Sequence, residues 1–139
     1  SNKKIAILGF AFKANTNDTR ESASIRICKD LIEEGAILYI HDPKVKSKQI
    51  SLDLSDEINP NNSISMNKNW FYADTINTAA DGADAILVLT EWEEYSKINW
   101  NTIANLMRKP AWIFDSRSIL IAENVKKSGL NFWRIGDGS

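Results

Sequence analysis

The 139-residue sequence has few of the residues that build disulfide-rich, metal-binding or membrane-spanning proteins. A single cysteine, Cys28, excludes an internal disulfide framework and a zinc site made of several cysteines. A single histidine, His41, argues against a histidine-rich metal site and against a serine–histidine nucleophile pair. No apolar run approaches the roughly 20 residues that a membrane-spanning helix requires. We therefore expect no metal ligand, no catalytic residue and no membrane span in this sequence.

No charge of one sign dominates the sequence either. The 17 basic and 18 acidic residues give a net charge of -1, which excludes the positive field that attracts nucleic acids or anionic membranes. With 43% hydrophobic residues the chain can fold around one core, so a single domain over residues 1–139 is expected. Ser1 and Asn2 are interpreted as the remnant of a cleaved tag on a fragment of a longer protein. A strand that follows Lys4 directly leaves no room for a signal peptide, and a cytoplasmic location is expected.

Short apolar runs alternate with helix-like segments along the chain. The run over 5–8 ends at Gly9, a helical pattern follows and ends at Gly35, and a second run covers 37–40. This order predicts a β-α-β unit with parallel strands and a right-handed crossover. Further strands are predicted over 85–89, 112–114 and 132–135, and helices over 73–80, 91–95, 100–107 and 119–128. The fold class is α/β, a three-layer Rossmann-like domain with a mostly parallel sheet of about five strands.

Two local features complete the prediction. Asp18 is expected to cap the first helix together with Glu21, three residues further on, as in a capping box. The polar stretch 44–69 is predicted to leave the sheet, with one helical turn over 50–54 and a turn at Asn-Pro-Asn-Asn over 59–62.

Ligands of open parallel sheets bind outside the carboxyl ends of the strands. Loops 9–20, 90–92 and 115–117 leave those ends, and together they carry Lys13, Arg20 and Arg117, which invite an anion. A phosphate or pyrophosphate is the expected ligand. Lys13 and Arg20 are equally compatible with solvated surface charges.

The first loop does not match the known phosphate-binding motifs. Gly9 is not followed by the second and third glycines of G-x-G-x-x-G, and no P-loop sequence is present. Asp42 is therefore expected to be a turn residue before Pro43 rather than a ribose ligand. Trp92 is expected in the core rather than as a stacking surface, and Cys28 as a small buried hydrophobe. The residues alone thus indicate a binding domain.

Several runs resemble the C-terminal, UDP-binding domain of UDP-glucose 6-dehydrogenases, which belong to the UDP-glucose/GDP-mannose dehydrogenase family. The matching runs are Gly9-Phe10-Ala11-Phe12-Lys13, Asp18-Thr19-Arg20-Glu21-Ser22, Tyr39-Ile40-His41-Asp42-Pro43, Thr90-Glu91-Trp92 and Phe114-Asp115-Ser116-Arg117. The resemblance covers essentially the whole chain. It departs from the family pattern at Ser116, where glycine is usual.

This resemblance implies roles for four side chains. Phe12, Lys13 and Arg117 would contact the substrate, the first two near its pyrophosphate, and Arg20 would approach the NAD side. The family oxidises UDP-glucose to UDP-glucuronate with two NAD, and UDP-glucuronate supplies polysaccharide biosynthesis. The catalytic cysteine and most of the NAD site would lie in a preceding N-terminal domain, the partner of this one in a homo-oligomeric enzyme. The fragment alone is expected to be inactive.

Three alternatives remain open from the sequence. The chain could come from a sibling enzyme that acts on UDP-N-acetylmannosamine or GDP-mannose. It could be a stand-alone nucleotide-binding module without a catalytic half. A flavodoxin-like protein that binds FMN in the same crevice is the third.

Overall fold

The computed structural model describes residues 3–54 and 69–134, and its centre is a six-stranded parallel sheet. The strands lie in the spatial order β3-β2-β1-β4-β5-β6. Their bounds are β1 Lys4–Leu8, β2 Ile37–His41, β3 Trp70–Tyr72, β4 Ala85–Val88, β5 Trp112–Asp115 and β6 Asn131–Arg134. The two halves of the sheet diverge from the neighbouring strands β1 and β4, which is the order of a dinucleotide-binding fold.

Within the described ranges, five α-helices connect the strands. They are α1 Ala23–Glu33, α2 Ser47–Leu54, α3 Ile76–Ala80, α4 Trp100–Leu106 and α5 Ala122–Lys127, and a 3₁₀ helix covers Glu93–Lys97. The chain crosses from β1 to β3 through α1 and α2, and returns from β3 to β6 through α3, α4 and α5. Because parallel crossovers are right-handed, these two groups of helices lie on opposite faces of the sheet. The predicted three-layer α/β fold is confirmed. No helix within 3–54 and 69–134 is long and apolar enough to cross a bilayer.

The predicted number of strands was one too low. The missing strand, β3, has only three residues and pairs with β2 at the edge of the sheet. So short a strand, placed directly after a polar stretch, gives no alternation that a sequence pattern can detect. The expected helix over 50–54 is longer and begins at Ser47. The predicted turn at 59–62 lies outside the described residues.

The predicted start of α1 was also wrong. The residue that caps the helix is Ser22, whose hydroxyl accepts a hydrogen bond from Ser24 N at 3.1 Å. Glu21 has a left-handed backbone, with φ at 64°, and so lies outside the helix. The Asp18 carboxylate instead accepts bonds from the backbone and guanidinium of Arg20. Asp18 and Glu21 thus have the spacing of a capping box, but both belong to the loop before α1.

The core lies between the sheet and both helix layers. Cys28, on α1, is fully buried, and burial raises the pKa of its thiol to about 12. It is therefore a protonated, apolar core group, as predicted. Trp92 is 6% exposed and packs in the same core, which confirms the second core assignment.

Gly9 is the glycine on which this packing depends most. Its φ of 102° is a conformation that other residues rarely adopt, and a β-carbon there would lie 2.6 Å from Thr90 N. The residue directly after β1 therefore has no side chain, because the segment after β4 passes directly beside it.

We predict that Gly9→Ala destabilises the protein by about 3 kcal/mol, the sum of a left-handed backbone penalty and an overpacking penalty. Gly82→Ala is the matched control, because Gly82 also has a positive φ, of 74°, but has open space around its α-carbon. It should cost only about 1 kcal/mol, from the backbone alone. Urea unfolding of both variants measures the difference, and equal losses would contradict the steric explanation.

Candidate functional site

The candidate site lies where β1 and β4 end, between the two halves of the sheet. In this fold the connections after β1 and β4 leave in opposite directions, which opens a crevice at the carboxyl edge. The loop after β1 runs from Gly9 to Ser22, the segment after β4 carries Thr90 and Glu91, and the loop after β5 carries Arg117. The three predicted loops therefore leave the same edge of the sheet.

The carboxylate of Asp42, at the end of β2, organises this edge. It is 2% exposed and accepts five hydrogen bonds. Oδ2 accepts from Phe10 N, Ala11 N and Trp92 Nε1, at 2.8, 3.0 and 3.1 Å. Oδ1 accepts from the backbone N–H groups of Lys44 and Val45, at 2.8 and 2.9 Å. One buried charge thus joins the loops that follow β1, β2 and β4.

The loop after β1 is also held by its carbonyl groups. Ser22 Oγ donates to Phe10 O at 2.9 Å, and Ser24 Oγ donates to Gly9 O at 3.1 Å. Thr90 Oγ1 donates to Ala11 O at 2.9 Å. The backbone polar groups at the start of the loop are therefore bound within the protein.

Side chains, in contrast, remain available at this loop. Phe12 is 44% exposed although its backbone N–H is bound to Asp18 O at 2.7 Å. Lys13 is exposed, and within residues 3–54 and 69–134 no carboxylate pairs with it. The fixed backbone thus presents an aromatic ring and a free ammonium group at the sheet edge.

A second buried carboxylate positions Arg117. Asp115, which is fully buried, accepts hydrogen bonds from Arg117 N at 2.9 Å and from Leu120 N at 2.8 Å. Ser116, at the position where glycine is usual, donates through Oγ to Val88 O at 2.8 Å. The residue with a positive φ in this loop is Ser118, at 59°. Ser116 therefore replaces the usual glycine without a left-handed backbone.

The Arg117 guanidinium forms an ion pair across the crevice. Its Nη2 lies 2.8 Å from Glu91 Oε1, although the two groups are not aligned as a hydrogen bond. The side chains are 40% and 33% exposed, so water competes for both. Because Glu91 adjoins Thr90, which bonds to Ala11, the Arg117 loop is linked to the Lys13 loop through two contacts.

Arg20 does not share these contacts. Its guanidinium pairs with Asp18 through Nε at 3.1 Å and Nη2 at 2.9 Å, and its side chain is 88% exposed. The hydrogen bonds from Arg20 lower the pKa of Asp18 to about 2. The structure therefore brings the loops of Phe12, Lys13 and Arg117 to one edge, and leaves Arg20 pointing into solvent from the same loop.

The residues of this edge do not fit a bound dinucleotide. Such cofactors use the amides of the first β-α turn and a nearby helix N-terminus to hold the pyrophosphate. Here the amides of Phe10 and Ala11 are bound to Asp42, and α1 begins only at Ala23. Asp42, at the position of a ribose-binding acid, is buried and saturated with donors. It is a turn residue, as predicted, and the Phe10 and Ala11 amides that it binds are not available to a pyrophosphate.

Comparison with known proteins agrees with this geometry. The model of the UDP-glucose/GDP-mannose dehydrogenase family, UDP binding domain, matches residues 6–122. The chain belongs to this family. The crevice described above therefore belongs to the UDP-binding domain of this family.

The relatives of this UDP-binding domain are longer proteins. UDP-glucose 6-dehydrogenase of Drosophila melanogaster is 42% identical over 98% of the chain, which spans 29% of that protein. The Gallus gallus UDP-glucose 6-dehydrogenase is 47% identical over 86% of the chain and 24% of its own length. Among solved structures, a UDP-D-ManNAc dehydrogenase from Pyrococcus horikoshii superposes with a TM-score of 0.71 at 28% identity, over 99% of the chain and 26% of that protein.

Sequence reasoning did not find that Asp42 and Asp115 organise the site. Each aspartate ends a strand and accepts N–H groups two to five residues further on, as in Asx turns. This spacing was a detectable signal. The donors from Phe10, Ala11 and Trp92 were not detectable, because they approach from distant parts of the chain.

We predict that Asp42→Asn destabilises the UDP-binding domain by about 3 kcal/mol or more. An amide nitrogen in place of one oxygen cannot accept, and buried donors without acceptors cost about 1–3 kcal/mol each. Asp30→Asn is the control, because the Asp30 carboxylate is exposed and forms an i,i+4 pair with Arg26 on α1. It should change stability by less than about 0.5 kcal/mol. Chemical denaturation compares the variants, and similar values would exclude the organising role of Asp42.

The only histidine lies directly behind this network. His41 is 5% exposed, and its Nδ1 lies 2.9 Å from the hydroxyl of Tyr95, which donates to His41 O. Burial lowers the pKa of His41 below its ordinary value of 6.5, although the carboxylate of Glu94, whose Oε2 lies 3.9 Å from Nε2, opposes the shift. The folded domain therefore favours the neutral imidazole.

This shift predicts a pH dependence of folding. The unfolded chain binds a proton to His41 at a higher pH than the folded domain does, so stability is complete above pH 6.5 and falls as the pH drops below it. The slope should not exceed about 1.4 kcal/mol per pH unit. Urea unfolding between pH 7.5 and 5.5 measures it, and His41→Gln should flatten the curve. A wild-type curve that is flat over this interval would contradict the assignment.

Proposed function

We propose that this domain binds the diphosphate of a UDP-sugar through Phe12, Lys13 and Arg117. The observation that carries the proposal is the linkage of the Lys13 and Arg117 loops through Thr90 and Glu91 at the crevice. Two cations on rigid, adjoining loops suit a doubly charged ligand. Lys13 acts as a point charge, whereas Arg117 can donate two parallel hydrogen bonds. The half-exposed ring of Phe12 covers the ligand beside Lys13.

The proposed binding site is open to solvent on one side. Phe12, Glu91 and Arg117 are each one-third or more exposed, so the described residues form one wall of a binding site. A second domain completes it in this proposal. In this proposal Arg20, whose side chain is 88% exposed, would approach NAD bound by that second domain.

The longer protein, in this proposal, is an NAD-dependent UDP-glucose 6-dehydrogenase. The curated relatives bear that name at 40–47% identity, whereas the UDP-D-ManNAc dehydrogenase structure is 28% identical. The first substrate is therefore favoured over the second. The enzyme would oxidise UDP-glucose to UDP-glucuronate with two NAD, in the cytoplasm and as a homo-oligomer, to supply polysaccharide biosynthesis.

This domain would supply substrate binding to that reaction and no catalytic group. NAD, which accepts the hydride, would be held mainly by the N-terminal domain, since the loop after β1 does not fit it. Cys28 is no nucleophile, because its thiol is buried and protonated at neutral pH. The residues of this chain would hold the diphosphate still while the sugar reacts elsewhere. The isolated chain is accordingly proposed to be inactive.

We predict that Lys13→Ala and Arg117→Ala each weaken UDP binding about tenfold or more, since a hydrogen bond to a charged group contributes about 1.5–3 kcal/mol. Lys126→Ala and Lys127→Ala, in the last turn of α5, remove exposed cations at the helix end remote from the carboxyl edge and should leave binding unchanged. Titration calorimetry of the isolated chain with UDP measures all four. Unchanged affinity in both site variants would overturn the proposed site.

A charge change of opposite effect sharpens the test. Glu91→Gln removes the anion that competes with UDP for Arg117, and it should strengthen UDP binding by about twofold to fivefold, the scale of a half-exposed ion pair. The double variant Glu91→Gln with Arg117→Ala should bind no better than Arg117→Ala alone. A gain that persists without the arginine would show that Glu91 acts on the ligand in another way.

A further inference from the structure

Glu91 is held at the crevice by both of its neighbours in the chain. Thr90 is fully buried and donates through Oγ1 to Ala11 O at 2.9 Å. Trp92 is also buried and donates through Nε1 to the Asp42 carboxylate at 3.1 Å. The backbone of Glu91 is therefore fixed on both sides, and its side chain leaves from a rigid position at the carboxyl edge of the sheet.

The two carboxylate oxygens of Glu91 lie in different surroundings. Oε1 is buried and lies 2.8 Å from Nη2 of Arg117. Because the side chain is 33% exposed and Oε1 is buried, the carboxylate oxygen that reaches solvent is Oε2. Within residues 3–54 and 69–134 no N–H or hydroxyl group donates to Oε2. One oxygen of Glu91 thus faces Arg117, and the other is open at the crevice.

A carboxylate at this place is unfavourable for the proposed diphosphate. Lys13 and Arg117 attract such a ligand, whereas Glu91, in contact with the same guanidinium, repels it. The loop of Arg117 does not depend on Glu91 for its shape, because Asp115 already accepts from Arg117 N at 2.9 Å. An acceptor that opposes the binding of an anion therefore indicates a second group on the ligand, one that donates hydrogen bonds.

The hydrogen-bond donors of a UDP-sugar are its hydroxyl groups and the uracil N–H. Along the bonds of the molecule, the hydroxyl nearest to the diphosphate is the one on C2 of the hexose, because C2 adjoins the anomeric carbon that carries the phosphate. The ribose hydroxyls and the uracil lie further away, on the other side of the diphosphate. A carboxylate that touches the diphosphate-binding arginine is therefore closest to the C2 hydroxyl.

We propose that Glu91 determines substrate specificity by accepting a hydrogen bond from the C2 hydroxyl of the hexose. The inference rests on the proposed function, in which Lys13 and Arg117 bind the diphosphate. Oε1 keeps its contact with Arg117, whose other N–H groups serve the diphosphate, and Oε2 accepts from the hydroxyl. Because a bond to a carboxylate is stronger than one between neutral groups, this contact offsets the repulsion between Glu91 and the phosphates.

The proposal gives Glu91 opposite effects on two ligands. UDP has no hexose and experiences only the repulsion, so Glu91 weakens its binding. UDP-glucose donates to the carboxylate, so Glu91 strengthens its binding. A residue that only oriented Arg117 would change the affinity for both ligands by the same factor. The difference between the ligands therefore separates a substrate contact from a positioning role.

Titration calorimetry of the 139-residue chain with UDP-glucose and UDP-2-deoxyglucose tests the proposal. These ligands differ only in the C2 hydroxyl group. The wild-type chain should bind UDP-glucose about tenfold more tightly or better, the scale of a hydrogen bond to a charged group. In Glu91→Ala the two affinities should agree within about twofold, because the acceptor is gone. Equal affinities in the wild type, or a preference that persists in Glu91→Ala, would overturn the proposal.

A conservative variant and a third ligand locate the contact. Glu91→Gln keeps the size of the side chain and removes its charge, so its preference for UDP-glucose should fall to roughly twofold to fivefold, as for a neutral hydrogen bond. UDP should bind to Glu91→Ala at least as tightly as to the wild type. Weaker binding of UDP would place the carboxylate on the ribose or the uracil, and would contradict the assignment to C2.

Glu93→Ala is the matched control. Glu93 lies two residues further on, its side chain is 82% exposed, and it pairs with Lys97 in the same 3₁₀ helix. Its removal changes the net charge by the same amount as Glu91→Ala, and it should leave the preference for UDP-glucose intact. A preference that is lost in both variants would show an effect of net charge alone and would exclude the contact.

Failure of this inference and failure of the proposed function give different results. If UDP does not bind, or binds equally well without Lys13 and Arg117, both are lost. If UDP binds through the two cations and the preference for UDP-glucose is absent, only the role of Glu91 is lost. Lys13→Ala should weaken the binding of UDP-glucose and of its 2-deoxy analogue by the same factor, because Lys13 contacts the diphosphate that they share.

Discussion

A buried carboxylate held by N–H donors is the constraint on which this edge of the molecule depends. Asp42 is stable there because five N–H donors surround its two oxygens, and because bonds to a charged acceptor are stronger than neutral ones. The converse is equally important. Without the carboxylate, N–H groups from three separate loops would be buried without an acceptor, which is costly. The loops after β1, β2 and β4 therefore depend on one another, because the same carboxylate holds all three.

This constraint changes what a familiar strand order can bind. In dinucleotide-binding folds the amides after β1 serve the ligand. Here the same amides, of Phe10 and Ala11, serve the protein, and the helix that would support a pyrophosphate begins at Ala23. A ligand at this edge would therefore contact side chains, namely those of Phe12, Lys13 and Arg117. A rigid backbone with protruding cations suits the proposed recognition of a substrate diphosphate.

Features set by neighbouring residues could be predicted from the sequence, whereas contacts between residues far apart in the chain could not. Buried strands such as β1 and β4 are continuous apolar runs, and they were predicted within one residue. The strand β3 was missed because three residues contain no period. Asp18 was predicted to cap α1 instead of Ser22, because aspartate and serine are both good capping residues. In the structure the Asp18 carboxylate is bound by the Arg20 guanidinium, and Ser22 caps the helix. The donors to Asp42 were hidden because Trp92 is 50 residues away in the chain.

The two faces of the sheet differ in a way that bears on the crevice. Among residues 3–54 and 69–134, crossovers of fixed hand place three α-helices on one face and two on the other, so these residues leave one face of β4 to β6 uncovered by a helix. Those strands also carry, at their other end, the loops of Glu91 and Arg117. The crevice at the carboxyl ends and the exposed sheet face, where Trp112 is 39% and Trp133 58% exposed, thus belong to the same strands.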